Sequence, residues 1–154
     1  MWHRSSLEMC AAAARAGVTP PPNPHEMIMD EENIYAIIGE EGFARLVGAF
    51  YRQVPHDDVL GRMYPAADLA AAEQRLRDFL IYRFGGPQRY IEERGHPRLR
   101  GRHMPFQIDL VARDRWMQLM DKAFAEAALP LEVEQFLRAF FDHMSTFMIN
   151  SRED

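Results

Sequence analysis

A chain of 154 residues with 47% hydrophobic and 27% charged side chains has the make-up of one globular domain, able to bury roughly two thirds of its unfolded surface without covalent support. The formal charge of −5 argues against a nucleic-acid binder, and a single cysteine, Cys10, excludes an internal disulfide framework and points to a reducing, cytoplasmic setting. No apolar run approaches the ~18 residues of a membrane span, and Arg4, Glu8 and Arg15 interrupt any export signal.

Residues 1–29 hold an alanine patch, Ala11–Ala14, and then TPPPNPHE, whose prolines deny a helix through that region. The expectation is a flexible extension followed by a folded domain over 30–151. Asp30 is placed to cap a short helix carrying Ile34, Ile37 and Ile38, which Gly39 interrupts. From Glu41 to Val54 the residues Phe43, Leu46, Val47, Phe50, Tyr51 and Val54 fall on one helical stripe. Tyr51 lies within that stripe and needs a partner for its hydroxyl, either a core carbonyl or a ligand.

The next predicted helix runs from about Asp68 to Phe84. Leu69, Ala72, Leu76, Phe79 and Leu80 form its inner face, with Glu73, Arg75, Arg77 and Asp78 mostly outward, and Gly85–Gly86–Pro87 stops it. Two long helices follow after Pro105. One spans about Asp109 to Ala128 with Trp116, Met120 and Phe124 at four-residue intervals; the other carries Val133, Phe136, Leu137, Phe140, Phe141, Met144, Phe147 and Met148. The final SRED reads as a polar tail. No strand-like alternation stands out, so the fold class is all-α.

Between the two halves lies GHPRLRGRHMPF at 95–106, with two histidines and three arginines in twelve residues. It reads either as a solvated basic loop or as a site in which a histidine ligates a cofactor and the arginines meet its negative groups. The six histidines, His3, His25, His56, His96, His103 and His143, show no zinc-type spacing, and no nucleophile elbow or phosphate loop is present. One histidine holding a cofactor's metal from a helical shell remains compatible, haem iron being the common case. The ten methionines and ten phenylalanines suit either a small core or the lining of a bulky ligand.

Taken together, FYRQV at 50–54, MYP at 63–65, FLIYRFGGP at 79–87, RGHPRLRGRHMPFQI at 94–108 and RDRWM at 113–117 resemble a truncated haemoglobin of group II, over roughly residues 31–150. The resemblance implies a two-over-two helical sandwich around haem b. It implies His103 as the proximal iron ligand and His96 as a loop residue without an iron bond. Tyr51, Tyr64 and Trp116 match the polar distal residues, Ala72, Leu76, Phe79 and Leu80 the apolar lining, and Arg75 and Arg102 the places where propionates are met.

Two departures stand out. The glycine pair expected after the first helix is Gly39–Glu40 here, with the second glycine only at Gly42, and Gly101 stands where a larger apolar residue is expected. Glycine there costs a helical segment about 0.5–1 kcal/mol. The implied function is reversible binding of oxygen, carbon monoxide and nitric oxide, for oxygen transport or supply, by a monomer or homodimer. The alternative is a redox enzyme on the same haem, a nitric oxide dioxygenase or a peroxidase-like catalyst, served by a reductase. A haem-free helical interaction domain, with the aromatics as core alone, is the contrasting class.

Overall fold

The computed structural model describes residues 31–152. The expected extension, the Asp30 cap and Cys10 lie outside the described residues. Six α-helices carry the architecture: α1 Ile34–Gln53, α2 Leu69–Arg83, α3 Arg89–Arg94, α4 Leu99–His103, α5 Leu110–Ala127 and α6 Leu131–Phe147. There is no strand among the described residues. Helix α1 packs on both α2 and α5, and α5 packs on α6, so two helix pairs stack in the two-over-two manner.

The core sits where α1 crosses α5. Phe43, Leu46, Val47 and Phe50 of α1 and Met120 and Ala123 of α5 are fully buried, and they are the stripe residues that helical spacing put on one side of each helix. Helices α1 and its predicted predecessor are one continuous element with a kink at Gly39, whose φ of 64° favours glycine. Gly42 completes the bend, because a Cβ there would stand 2.6 Å from Ile38 Cβ. The displaced second glycine thus serves close packing across the kink.

Helix α5 begins where Asp109 accepts from the Ala112 amide at 2.8 Å and ends at Ala128, which holds a left-handed φ of 51°. Pro130 immediately precedes α6. Two expectations need correction. Asp78 is buried, with 7% of its surface exposed, although its charge counts it as outward in the sequence. Ser151 is no free tail residue: its amide donates to the Ile108 carbonyl at 3.0 Å, which stitches the segment after α6 to the start of α5.

Candidate functional site

The helix pairs enclose a cavity of about 440 Å³, within the ~300–1,000 Å³ common for ligand pockets. Nine of the ten residues singled out in the sequence line it: Tyr51, Tyr64, Ala72, Arg75, Leu76, Phe79, Arg102, His103 and Trp116. Leu80 does not. It is fully buried in the core, because one residue beyond Phe79 turns the side chain ~100° around the helix. Leu76 and Phe79 follow Ala72 by four and seven residues and keep to the cavity face. His96 is exposed and accepts the Arg98 amide at its Nδ1, 3.2 Å away.

One wall comes from the long helices. Tyr51 on α1 stands edge-on to Tyr64 with ring centroids 5.7 Å apart, and Trp116 on α5 packs between Phe50 at 5.1 Å and Phe141 at 5.3 Å. Burial, with the nearby Tyr64 hydroxyl, pushes the Tyr51 hydroxyl far above its ordinary range. Burial also raises Tyr64, while Trp116 and Tyr51 beside it pull the other way. Tyr51, Tyr64 and Trp116 thus bring two O–H groups and one N–H to the cavity wall.

The opposite wall is short and local. His103 ends the five-residue helix α4, and its Nδ1 lies 2.6 Å from the Leu99 carbonyl oxygen. A carbonyl only accepts, so the proton sits on Nδ1 and the Nε2 lone pair is free to ligate. Asn150, just beyond α6, fixes the following turn: its Nδ2 donates to the His103 and Phe106 carbonyls at 3.2 and 2.9 Å, and its Oδ1 accepts the Ile108 amide at 2.9 Å. Gly101 is helical, and a Cβ there would meet nothing within 4 Å. Nothing about space requires glycine at that place.

The mouth is cationic. Arg75 binds Asp68 at 2.7 Å and holds that carboxyl below its usual range. Arg102 donates from Nη2 to the Arg94 carbonyl at 2.8 Å and lies 6.0 Å over the Tyr90 ring. Sequence reasoning missed Asn150, and it also missed Ala112, Arg113, Met144 and Met148 on the cavity wall. Ala112 and Arg113 precede Trp116 by four and three residues, a helical spacing that would have found them. Asn150 acts through backbone groups some forty residues away in sequence and leaves no local pattern.

No group of three or more His, Cys, Asp or Glu side chains among the described residues could hold a metal ion. A metal at His103 would therefore arrive with its other ligands already supplied by a cofactor. An apolar slot, one histidine with a free Nε2 and two guanidinium groups at the mouth fit haem, which needs an axial nitrogen and partners for two carboxylates.

The bacterial-like globin family matches residues 33–150. The chain is a bacterial-like globin, of the group II truncated haemoglobin kind. Such globins bind haem and diatomic gases. This globin is 36% identical over 119 residues to the group 2 truncated haemoglobin YjbI of Bacillus subtilis, covering 77% of this chain and 89% of that one. It superposes on a thermostable haemoglobin from Thermobifida fusca with a TM-score of 0.73 at 47% identity, over 76% of this chain and 96% of the other. A truncated oxygen-avid haemoglobin from Bacillus subtilis gives 0.72 at 36% identity, over 76% and 98%. No helix of this globin, among the described residues, is long and apolar enough to cross a membrane.

Proposed function

We propose that this globin holds haem b through His103 Nε2 and binds oxygen reversibly on the side of Tyr51, Tyr64 and Trp116. The observation that carries the reading is the His103 Nδ1 contact to Leu99 at 2.6 Å, which orients the ring and leaves one nitrogen for iron. When bound, the haem supplies an iron with an open position for one diatomic molecule and a ferrous–ferric couple. The protein supplies the rest.

Ala72, Leu76 and Phe79 offer an apolar floor that excludes water from the cavity. Arg75 and Arg102 lie at the mouth, where haem carboxylates need cations; Arg75 retains N–H groups beyond those engaged with Asp68. Tyr64, edge-on to Tyr51 and on the same cavity wall as Trp116, offers its O–H to a guest molecule. A neutral hydrogen bond is worth about 1–1.5 kcal/mol, or roughly tenfold in affinity. That favours tight oxygen binding, in keeping with the oxygen-avid relative from Bacillus subtilis.

The test is oxygen release by the haem-reconstituted protein in a stopped-flow instrument. A Soret band and slow release are expected. Absence of the band after haem addition would restore the haem-free reading. Sustained consumption of nitric oxide with a supplied reductase would move the conclusion from carrier to nitric oxide dioxygenase.

A further inference from the structure

The corner that bears His103 has an outer face that the pocket touches only at Phe106. Met104, Phe106, Leu110, Val111 and Phe147 are 60, 44, 52, 49 and 48% exposed. They belong to one surface. Met104 and Phe106 follow His103 directly; Asn150, three residues past Phe147, bonds the His103 and Phe106 carbonyls; and the Arg100 guanidinium lies 5.4 Å above the Phe147 ring. Leu110 and Val111 open α5 beside Ile108, whose backbone is tied to Asn150 and Ser151.

The rim of this face is cationic among the described residues. Arg98 and Arg100 are exposed, and neither enters an ion pair with a described carboxylate, whereas Arg45, Arg52, Arg75, Arg83, Arg89, Arg113, Arg115 and Arg138, though not every arginine, do. Between 94 and 109 four arginines stand against one aspartate, in a chain whose net charge is −5. Exposed apolar side chains gathered in one place mark an interaction surface, and the charge ring decides which partner fits, because a basic rim steers an acidic protein and repels a basic one.

We propose that this face docks an acidic one-electron carrier protein that reduces the haem across the His103 wall. The inference rests on the haem reading of the cavity. Phe106 belongs to both surfaces, since it lines the cavity as well as being exposed, so the docked carrier meets the outer side of the wall whose inner side bears His103. One electron leaves the carrier's reduced centre and takes ferric iron to ferrous. No bond breaks and no proton is required. An anionic bilayer is the poorer fit: acidic residues outnumber basic ones 23 to 18 in the chain, which opposes approach to a broad anionic plane, while a protein partner covers the patch alone.

The experiment titrates the haem-loaded full chain with an oxidised, acidic plant-type [2Fe–2S] ferredoxin in a calorimeter. Saturable binding is expected, weakening as salt rises from about 10 mM to about 100 mM and the Debye length shortens from roughly 30 to 10 Å. The double variant Arg100→Glu, Met104→Glu should raise Kd on the order of tenfold and slow reduction by reduced ferredoxin, with the Soret band and the dithionite-reduced spectrum unchanged. No binding by the wild type, binding insensitive to salt, equal binding by the variant, or preference for phosphatidylglycerol vesicles over ferredoxin would each overturn the proposal. A missing Soret band is seen before any carrier is added, so failure of the haem reading is told apart from failure of docking.

Discussion

The two walls of the cavity are built on different principles. The Tyr51–Trp116 wall belongs to α1 and α5, the long helices whose crossing forms the core, and Tyr51 is only 6% exposed. The His103 wall is a five-residue helix with no buried residue, entered through Arg98 at a left-handed φ of 42° and fastened by Asn150 and the Leu99 carbonyl. Packing holds one wall and directional hydrogen bonds hold the other. A side chain on the first wall is therefore positioned by apolar burial that single substitutions hardly move, while the ligand histidine depends on a few polar contacts that one substitution can remove.

The contrast breaks hardest at Asn150. Asn150→Ala removes three hydrogen bonds at ~0.5–1.5 kcal/mol each, so a loss of about 2–3 kcal/mol is expected by urea denaturation, together with faster transfer of haem to an acceptor apoprotein. The core-held wall answers to alkali instead. Below the ordinary tyrosine value of 10.0, folded and unfolded chains both keep the Tyr51 proton and its stabilisation is whole. Above it, the unfolded chain releases a proton that buried Tyr51 retains, so stability falls with rising pH by up to about 1.4 kcal/mol per unit. Unfolding measured from pH 9 upward should show that slope in the wild type and a shallower one in Tyr51→Phe.

Smaller effects sharpen the same comparison. Tyr64→Phe is expected to speed oxygen release roughly tenfold, the worth of one hydrogen bond of about 1–1.5 kcal/mol, with thermal stability little changed. Trp116→Phe should do less, because its indole meets Tyr64 and reaches the guest through it. Equal rates for Tyr64→Phe and wild type would show that Tyr64 does not donate. Gly101→Ala should stabilise α4 by about 0.5–1 kcal/mol and slow haem loss without altering oxygen release; the site has room for the methyl.

The long helices were legible in the sequence because each carries several turns of one apolar stripe between proline or glycine stops. The short helices were not: six residues in α3 and five in α4 span fewer than two turns, too few for a period to register. The kink at Gly39 could be read from the glycine, but the packing of Gly42 on Ile38 could not, since it depends on how closely two turns approach across the bend. Leu80 shows the limit at single-residue scale. Its apolar character fitted core and cavity equally, and only the rotation of α2 against α1 separates it from Phe79. Asp78 was misread for the matching reason: an acidic side chain counts as outward in the sequence, and its burial depends on the elements packed over it.

The central claim is that His103 Nε2 binds the iron while Leu99 orients the ring. Resonance Raman spectroscopy of the ferrous, ligand-free protein tests it most directly through the iron–histidine stretching band. The wild type should show the band, His103→Gly should lose it, and added imidazole should restore it at the vacated place. A band that persists unchanged in His103→Gly would contradict the assignment.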